Sequence, residues 1–189
     1  MENDNIKLPK KIAAFLDKSG VKFETIGHRT VYTAYDKAAT LKVKPAAIVK
    51  VLVVKMDKEL AMAVIGGDRS LDIEKLQKAS KSTKLDFAKE KVIAEAFKGV
   101  DPGTMPPFSG LWPMKVFCDK KLLESPKLIL SAGAYECSIK IAPGAFKKIN
   151  PEMAIGIFSK AKEKKAKSKP KPKTVSNPKK RQALNKKKK

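Results

Sequence analysis

Lys50 stands inside the apolar run Val49-Lys50-Val51-Leu52-Val53-Val54, a place where a buried strand ordinarily carries no charge. Period-two geometry puts it on one face with Leu52 and Val54. A lysine buried there is costly unless it meets an anion, so one reading is a phosphate or ester contact at a pocket mouth. The other is that Lys50 lies at the start of the strand and reaches back to water, one lysine among many. Further along comes Gly99-Val100-Asp101-Pro102-Gly103-Thr104-Met105-Pro106-Pro107-Phe108. This segment is too rich in proline for a helix or central strand, and too apolar for an ordinary solvated loop. Glycine permits close backbone approach and proline stiffens the chain while removing a donor. The loop is therefore either ligand-facing, with backbone amides presented to the ligand, or a packed connector.

Other chemistries find little support. No glycine-rich loop ends in Lys-Ser or Lys-Thr, and Gly66-Gly67-Asp68 lacks dinucleotide-binding spacing. His28 is the one histidine, which argues against a Ser-His-Asp triad, and with Cys118 and Cys137 it makes no zinc pattern. The cysteines read as reduced structural residues. No cofactor or metal is expected, and an enzyme built this way would act by positioning a reactive substrate.

The chain has 189 residues and a formal charge of +23, unevenly spread. Residues 160–189 hold fifteen Lys/Arg against the single acid Glu163, while the rest holds 27 basic and 18 acidic residues. A moderately basic body with a polycationic tail favours a polyanionic partner such as RNA, with an acidic membrane surface as the competing reading. No apolar run approaches the roughly 20 residues of a bilayer span, and no secretory leader is visible. A soluble cytoplasmic protein with no membrane partner is expected; its oligomeric state is open.

The elements that must position Lys50 and the loop follow from periodicity. Leu8, Ile12, Phe15 and Leu16 predict an opening helix stopped at Gly20, and residues 22–26 a strand. Thr33-Ala34-Tyr35-Asp36 resembles a capping box opening a helix through Ala39. Pro45 starts a short turn, and residues 49–54 and 60–65 form a hairpin buried on both faces. Helices are predicted over 71–79 and 87–97, the latter ended by Gly99. Strands follow at 114–118, 128–132 and 138–141, and a short helix at 145–149. The expectation is an α+β domain over residues 1–158, with a mixed, curved, barrel-like β-sheet flanked by helices. Residues 159–189 read as a disordered Lys-rich tail, too poor in large apolar side chains to offset ordering entropy.

In order along the chain, these pieces resemble the YbaK and prolyl-tRNA synthetase insertion-domain family of aminoacyl-tRNA deacylases. The resemblance runs from about Ile26 to Ile149. It rests on Val31-Tyr32-Thr33-Ala34, Ile48-Val49-Lys50-Val51-Leu52-Val53, Gly67-Asp68 with Leu71-Asp72-Ile73-Glu74-Lys75-Leu76, the Gly-x-x-x-Pro loop Gly103 to Pro107 with Phe108, Val116-Phe117-Cys118-Asp119-Lys120-Lys121-Leu122, and Ser131-Ala132-Gly133 followed by Ser138-Ile139.

The resemblance implies a free-standing editing enzyme that hydrolyses the ester joining a wrong amino acid to tRNA. Lys50 falls on the family's essential lysine, which holds the terminal adenosine region. Gly103 opens the loop that lines the amino-acid pocket and offers amides to the ester carbonyl. Lys50 and Gly103 are thus the expected catalytic positions, and Thr33, Thr104, Met105, Pro106, Pro107, Phe108 and Gly133 the expected substrate-binding ones. The resemblance implies a water activated by the substrate's own ribose hydroxyl or by a water network. Met105-Pro106 and Ser109-Gly110-Leu111-Trp112-Pro113 depart from the simplest family pattern, which leaves the substrate's amino acid open. A tail with Lys179, Lys180 and Arg181 reads as a tether for the tRNA backbone, or else as a solubilising or nuclear-import segment. The alternative of a different class is a non-catalytic tRNA- or RNA-binding module with the same fold.

Overall fold

The computed structural model describes residues 8–162. Residues 163–189 of the expected tail, with Lys179, Lys180 and Arg181, lie outside the described residues.

An amphipathic α1 (Lys10–Ser19) buries Ile12 and Leu16 and ends at Gly20, whose left-handed φ of 60° makes a C-cap. Strand β1 (Phe23–Gly27) follows, then α2 (Ala34–Thr40), capped by the Thr33 hydroxyl accepting from Asp36 N at 3.0 Å. Asp36 itself pairs with Arg29, so the cap is one-sided. A single 3-10 turn at Pro45–Ala47 delivers the chain to the hairpin of β2 (Val49–Met56) and β3 (Glu59–Gly66). Beyond it come β4 (Arg69–Leu71), α3 (Ile73–Ser80), β5 (Leu85–Phe87) and α4 (Glu90–Ala96). The last third holds β6 (Lys115–Asp119), β7 (Leu128–Ser131), β8 (Cys137–Ile141), α5 (Pro143–Ile149), β9 (Ala154–Gly156) and β10 (Ser159–Ala161).

The expected mixed sheet is present, in the order β5-β2-β3-β6-β9 with antiparallel and parallel pairings side by side. A closed barrel is not. The strands divide into this five-stranded sheet, a three-stranded sheet β1-β8-β7 and a two-stranded β10-β4 ladder. The turn at Pro45–Ala47 breaks the chain just before β2, and the single bridge Ile48↔Ile129 is the one ladder contact recorded between the two larger sheets.

Alternation along β3 shows why both faces of the hairpin are covered. Met62 and Val64 enter the main core, between the two larger sheets, with Ile12, Leu16 and Phe146. Ala61, Ala63 and Ile65 face a second cluster built on Leu76, Phe117 and Phe158. On β2, Val49 and Val53 belong to the first cluster and Val54 to the second, with Leu52 packed beside it. Lys50 therefore ends an apolar face, as its spacing predicts.

Several segments differ from the periodicity reading, the unexpected β9 among them. The helix expected from Leu71 begins at Ile73, because Arg69–Leu71 pairs with β10 and Asp72 caps the helix through Lys75 N. The helix expected from Phe87 begins at Glu90, since Leu85–Phe87 pairs with Val54–Met56. The ordered chain also continues past Phe158 into β10. The cause is Asp119, fully buried, which accepts from Phe158 N at 2.9 Å and from Lys121 N at 2.9 Å. Phe158 O in turn accepts from Asp72 N at 2.7 Å, and these bonds bring Ser159–Ala161 alongside β4.

Among the described residues no helix is long and apolar enough to cross a membrane.

Candidate functional site

Lys50, Thr33, Gly103, Thr104 and Met105 meet around one cavity of about 300 Å³, at the start of β2 and the N-terminal end of α2. The structure adds Lys37, Ser131 and Lys162 to its walls, and Tyr32, Tyr35 and Tyr135 beside them. It lies at the open end of the core, where the chain enters β2 and the loop at Gly103 passes over.

Lys50 Nζ donates to the carbonyl of Arg69 at 2.6 Å. Arg69 is fixed in turn, its guanidinium donating to the Ser159 hydroxyl and, at 3.1 Å, to the Ser159 carbonyl. The first residue of the expected tail thus anchors the group that holds Lys50. Burial, with the Lys162 cation nearby, pushes the Lys50 amine down to about 8, while Asp68 opposes the shift. One of its three donors is engaged, so the ammonium keeps two for a ligand.

The loop is fastened from behind. Asp101 N donates to Gly133 O and Gly133 N donates to Thr104 O, both at 2.9 Å. Gly133 has φ +89°, and a Cβ there would sit 2.7 Å from Ile12 Cδ1, so only glycine fits both the turn and the space. Gly133 therefore positions the loop from outside the cavity. Thr104 turns inward: its N and Oγ1 both donate to Asp101 O, at 3.0 and 2.7 Å. The prolines have no N–H. Among the described residues, the amides of Gly103 and Met105 are the loop donors between Pro102 and Pro107 with no protein acceptor recorded. Gly103 has φ +78° and open space where a Cβ would stand.

Pro106, Pro107 and Phe108 do not line the cavity. All three are buried, and Phe108 stacks on Phe15 at 5.3 Å between centroids. Leu111 N and Trp112 N both donate to Phe108 O, so the segment after the loop folds into a turn whose Trp112 packs on Phe97. Pro106, Pro107 and Phe108, expected to bind substrate, are core anchors instead. They hold the loop, and the floor is built elsewhere.

Lys37 forms part of that floor, and the sequence reading missed it. It is 6% exposed, and its Nζ donates to Ser131 Oγ at 2.8 Å. Burial pushes this amine down to about 8 as well. Its signal was present: Ala34, Lys37, Ala38 and Leu41 follow the i, i+3, i+4, i+7 stripe of a helix face turned inward. His28 stays structural, with Nδ1–H donating to Arg29 O at 2.9 Å and Nε2 accepting from Ser138 Oγ at 2.8 Å. Burial holds its imidazole below the usual range. Cys118 and Cys137 are both free and buried, and burial lifts the Cys118 thiol to about 12.

On the other side of Gly103 and Met105 runs a wider groove of about 840 Å³, walled by Val51, Phe87, Ile93 and Phe97. The loop thus separates a lysine-lined chamber from a more apolar groove.

The structure is thus a mixed-sheet domain with a lysine-lined chamber beside a glycine-proline loop. The comparisons with known proteins carry this further. The family model for the aminoacyl-tRNA editing domain matches residues 28–149. The chain belongs to that family. No curated protein is matched. Among solved structures, the hypothetical protein APE2540 superposes with a TM-score of 0.72 at 21% identity, over 80% of this chain and 100% of that one. A protein described as a candidate trans-editing enzyme for prolyl tRNA synthetase gives 0.73 at 19% identity, over 81% and 97%. A candidate signal transduction protein from Marinobacter aquaeolei VT8 gives 0.65 at 15% identity, over 81% of this chain but 31% of that one. At these identities the likeness is one of fold.

Proposed function

We propose that this protein is a trans-editing aminoacyl-tRNA deacylase, hydrolysing the ester of a mischarged tRNA. The observation that carries the reading is the meeting of Lys50 with Gly103 and Met105, whose amides have no protein acceptor among the described residues, around one cavity inside the family-matched segment. Lys50, steadied by Arg69 O, holds the anionic end of the tRNA with its free donors. The two free amides face the ester carbonyl as charge develops on its oxygen. Attack by water breaks the ester bond to yield the free amino acid and the terminal ribose hydroxyl, the neighbouring ribose hydroxyl or a bound water relaying a proton from the attacking water to the leaving ribose oxygen. Proximity and electrostatics supply the acceleration, in keeping with the structural bonding of His28.

The basic tail with Lys179, Lys180 and Arg181 serves in this reading as a sequence-independent tether for the tRNA backbone. Release of labelled amino acid from a panel of mischarged tRNAs, by wild type and Lys50→Ala, tests the proposal. Lys50-dependent release from a panel member is expected. Retained tRNA binding with no release from any member would instead favour a non-catalytic tRNA-binding module.

A further inference from the structure

Lys37 is a buried ammonium with no carboxylate against it among the described residues. None of the recorded salt bridges includes it, and its one recorded partner is the neutral Ser131 hydroxyl at 2.8 Å. The other groups that reach it electrostatically are the Cys137 thiol and His28. Burial keeps that thiol protonated and that imidazole neutral at ordinary pH, so neither supplies a negative charge. A lysine side chain has three donors. Here one is used, and the rest of a full positive charge borders the cavity with little water around it. Such a group calls for an acceptor from the ligand.

We propose that Lys37 and Ser131 form the subsite for the aminoacyl side chain and select one that ends in an oxygen acceptor, a carboxylate before a carboxamide. The inference rests on the deacylase reading and adds the substrate class to it. Lys50 is tied to β4 by Arg69 O, while Lys37 is tied to the end of β7 by Ser131, so the two amines approach the cavity from different walls. An ester seated against the Gly103 and Met105 amides can therefore place its tRNA end towards Lys50 and its side chain towards Lys37. Lys162 also lines the chamber, and three lysines around it disfavour a cationic side chain. A carboxylate is the one common side-chain ending that answers both the charge and the unused donors. An aliphatic side chain would find its complement in the apolar groove across the loop, where Val51, Phe87, Ile93 and Phe97 lie.

The test uses the full-length protein and stable amide-linked analogues, 3′-aspartylamino- and 3′-leucylamino-3′-deoxyadenosine, each with and without a 5′-phosphate. Affinities are measured by calorimetry for wild type, Lys37→Met and Ser131→Ala. Wild type is expected to bind the aspartyl analogue at least tenfold more tightly than the leucyl one, and Lys37→Met to erase that ratio, with Ser131→Ala reducing it. A parallel release assay on one tRNA body charged with Asp, Asn or Leu should show the same order. An unchanged aspartyl-to-leucyl ratio in Lys37→Met overturns the proposal, as does wild-type preference for the leucyl analogue, which would place the side chain in the groove. A Lys37 effect equal for both analogues and present only with the 5′-phosphate also overturns it, by assigning Lys37 to the phosphate. If the ratio behaves as expected but no tRNA is deacylated, the subsite stands and the deacylase reading falls.

Discussion

Replacing Lys37 with Met should stabilise the protein at neutral pH. The folded amine is pushed from 10.5 to about 8 by burial, with only a small opposing contribution from Cys137. At about 1.36 kcal/mol per pH unit, that displacement means the fold carries roughly 3 kcal/mol of unfavourable protonation at pH 7. Methionine keeps the aliphatic stem and removes the charge. It also removes the bond to Ser131 Oγ, worth about 1 to 1.5 kcal/mol. The net expectation is a gain of about 2 kcal/mol, or about 4 to 8 °C in Tm for a domain of this size. The pH dependence follows from the sign of the shift. Below pH 8 both folded and unfolded chains hold the proton, and the penalty is complete. Between pH 8 and 10.5 the unfolded chain binds more protons than the folded one, so wild type gains stability as pH rises. By pH 9.5 the penalty should have fallen by about 2 kcal/mol, leaving wild type and variant nearly equal. Paired urea titrations at pH 7.0 and 9.5 measure both points, and other lysines largely cancel in the difference. A Lys37→Met protein less stable than wild type at pH 7, or a gap that does not close with pH, would refute the account of Lys37 as an uncompensated buried cation.

Lys50→Ala should lower kcat/KM for deacylation by about 30- to 150-fold, the scale of a lost charge-assisted contact of about 2 to 3 kcal/mol, with circular dichroism unchanged. Because Lys50 binds as a cation and titrates at about 8, wild-type kcat/KM should fall as pH rises through that value; a flat profile to pH 9.5 would remove its charge from the mechanism. Gly103→Ala meets no atom within 4 Å but must hold φ +78°, so about 1 kcal/mol of stability should be lost, and deacylation should fall as the backbone relaxes and turns its amide away; retained full activity would show that the left-handed turn at Gly103 is not needed for the reaction. Truncation after Lys162 should weaken tRNA binding and flatten its salt dependence while leaving Tm alone, whereas truncation after Phe158 deletes β10, frees Arg69 and should lower both Tm and turnover. Equal Tm for the two truncations would mean that β10 does not steady the site.

The sequence by itself determined what local patterns can carry. Alternation along residues 49–54 and 60–65 specified a hairpin with two buried faces, and placed Lys50 at the end of one of them. Thr33 and Asp36 announced the start of α2, and the loop of prolines around Gly103 announced a stiff segment unlike its surroundings. The order of the family motifs along the chain also suffices to assign the editing-domain family. Strands as short as β9 and β10 escape such a reading, because three residues hold no period and exist only through partners far along the chain. The same is true of the cavity's composition. Phe108 and Met105 are both apolar loop residues, yet one stacks on Phe15 and the other lines the chamber, according to which wall α1 and α2 cover. Gly133 holds the loop in place without lining the cavity, through hydrogen bonds to residues about thirty positions earlier. Lys37 meets Ser131 across 94 positions of sequence, and Lys50 is steadied by Arg69, itself held by Ser159, 90 residues further on. Contacts of that range follow from how the sheets pack, and burial then shifts both amines. Only the tertiary structure could turn two lysines among many into a site.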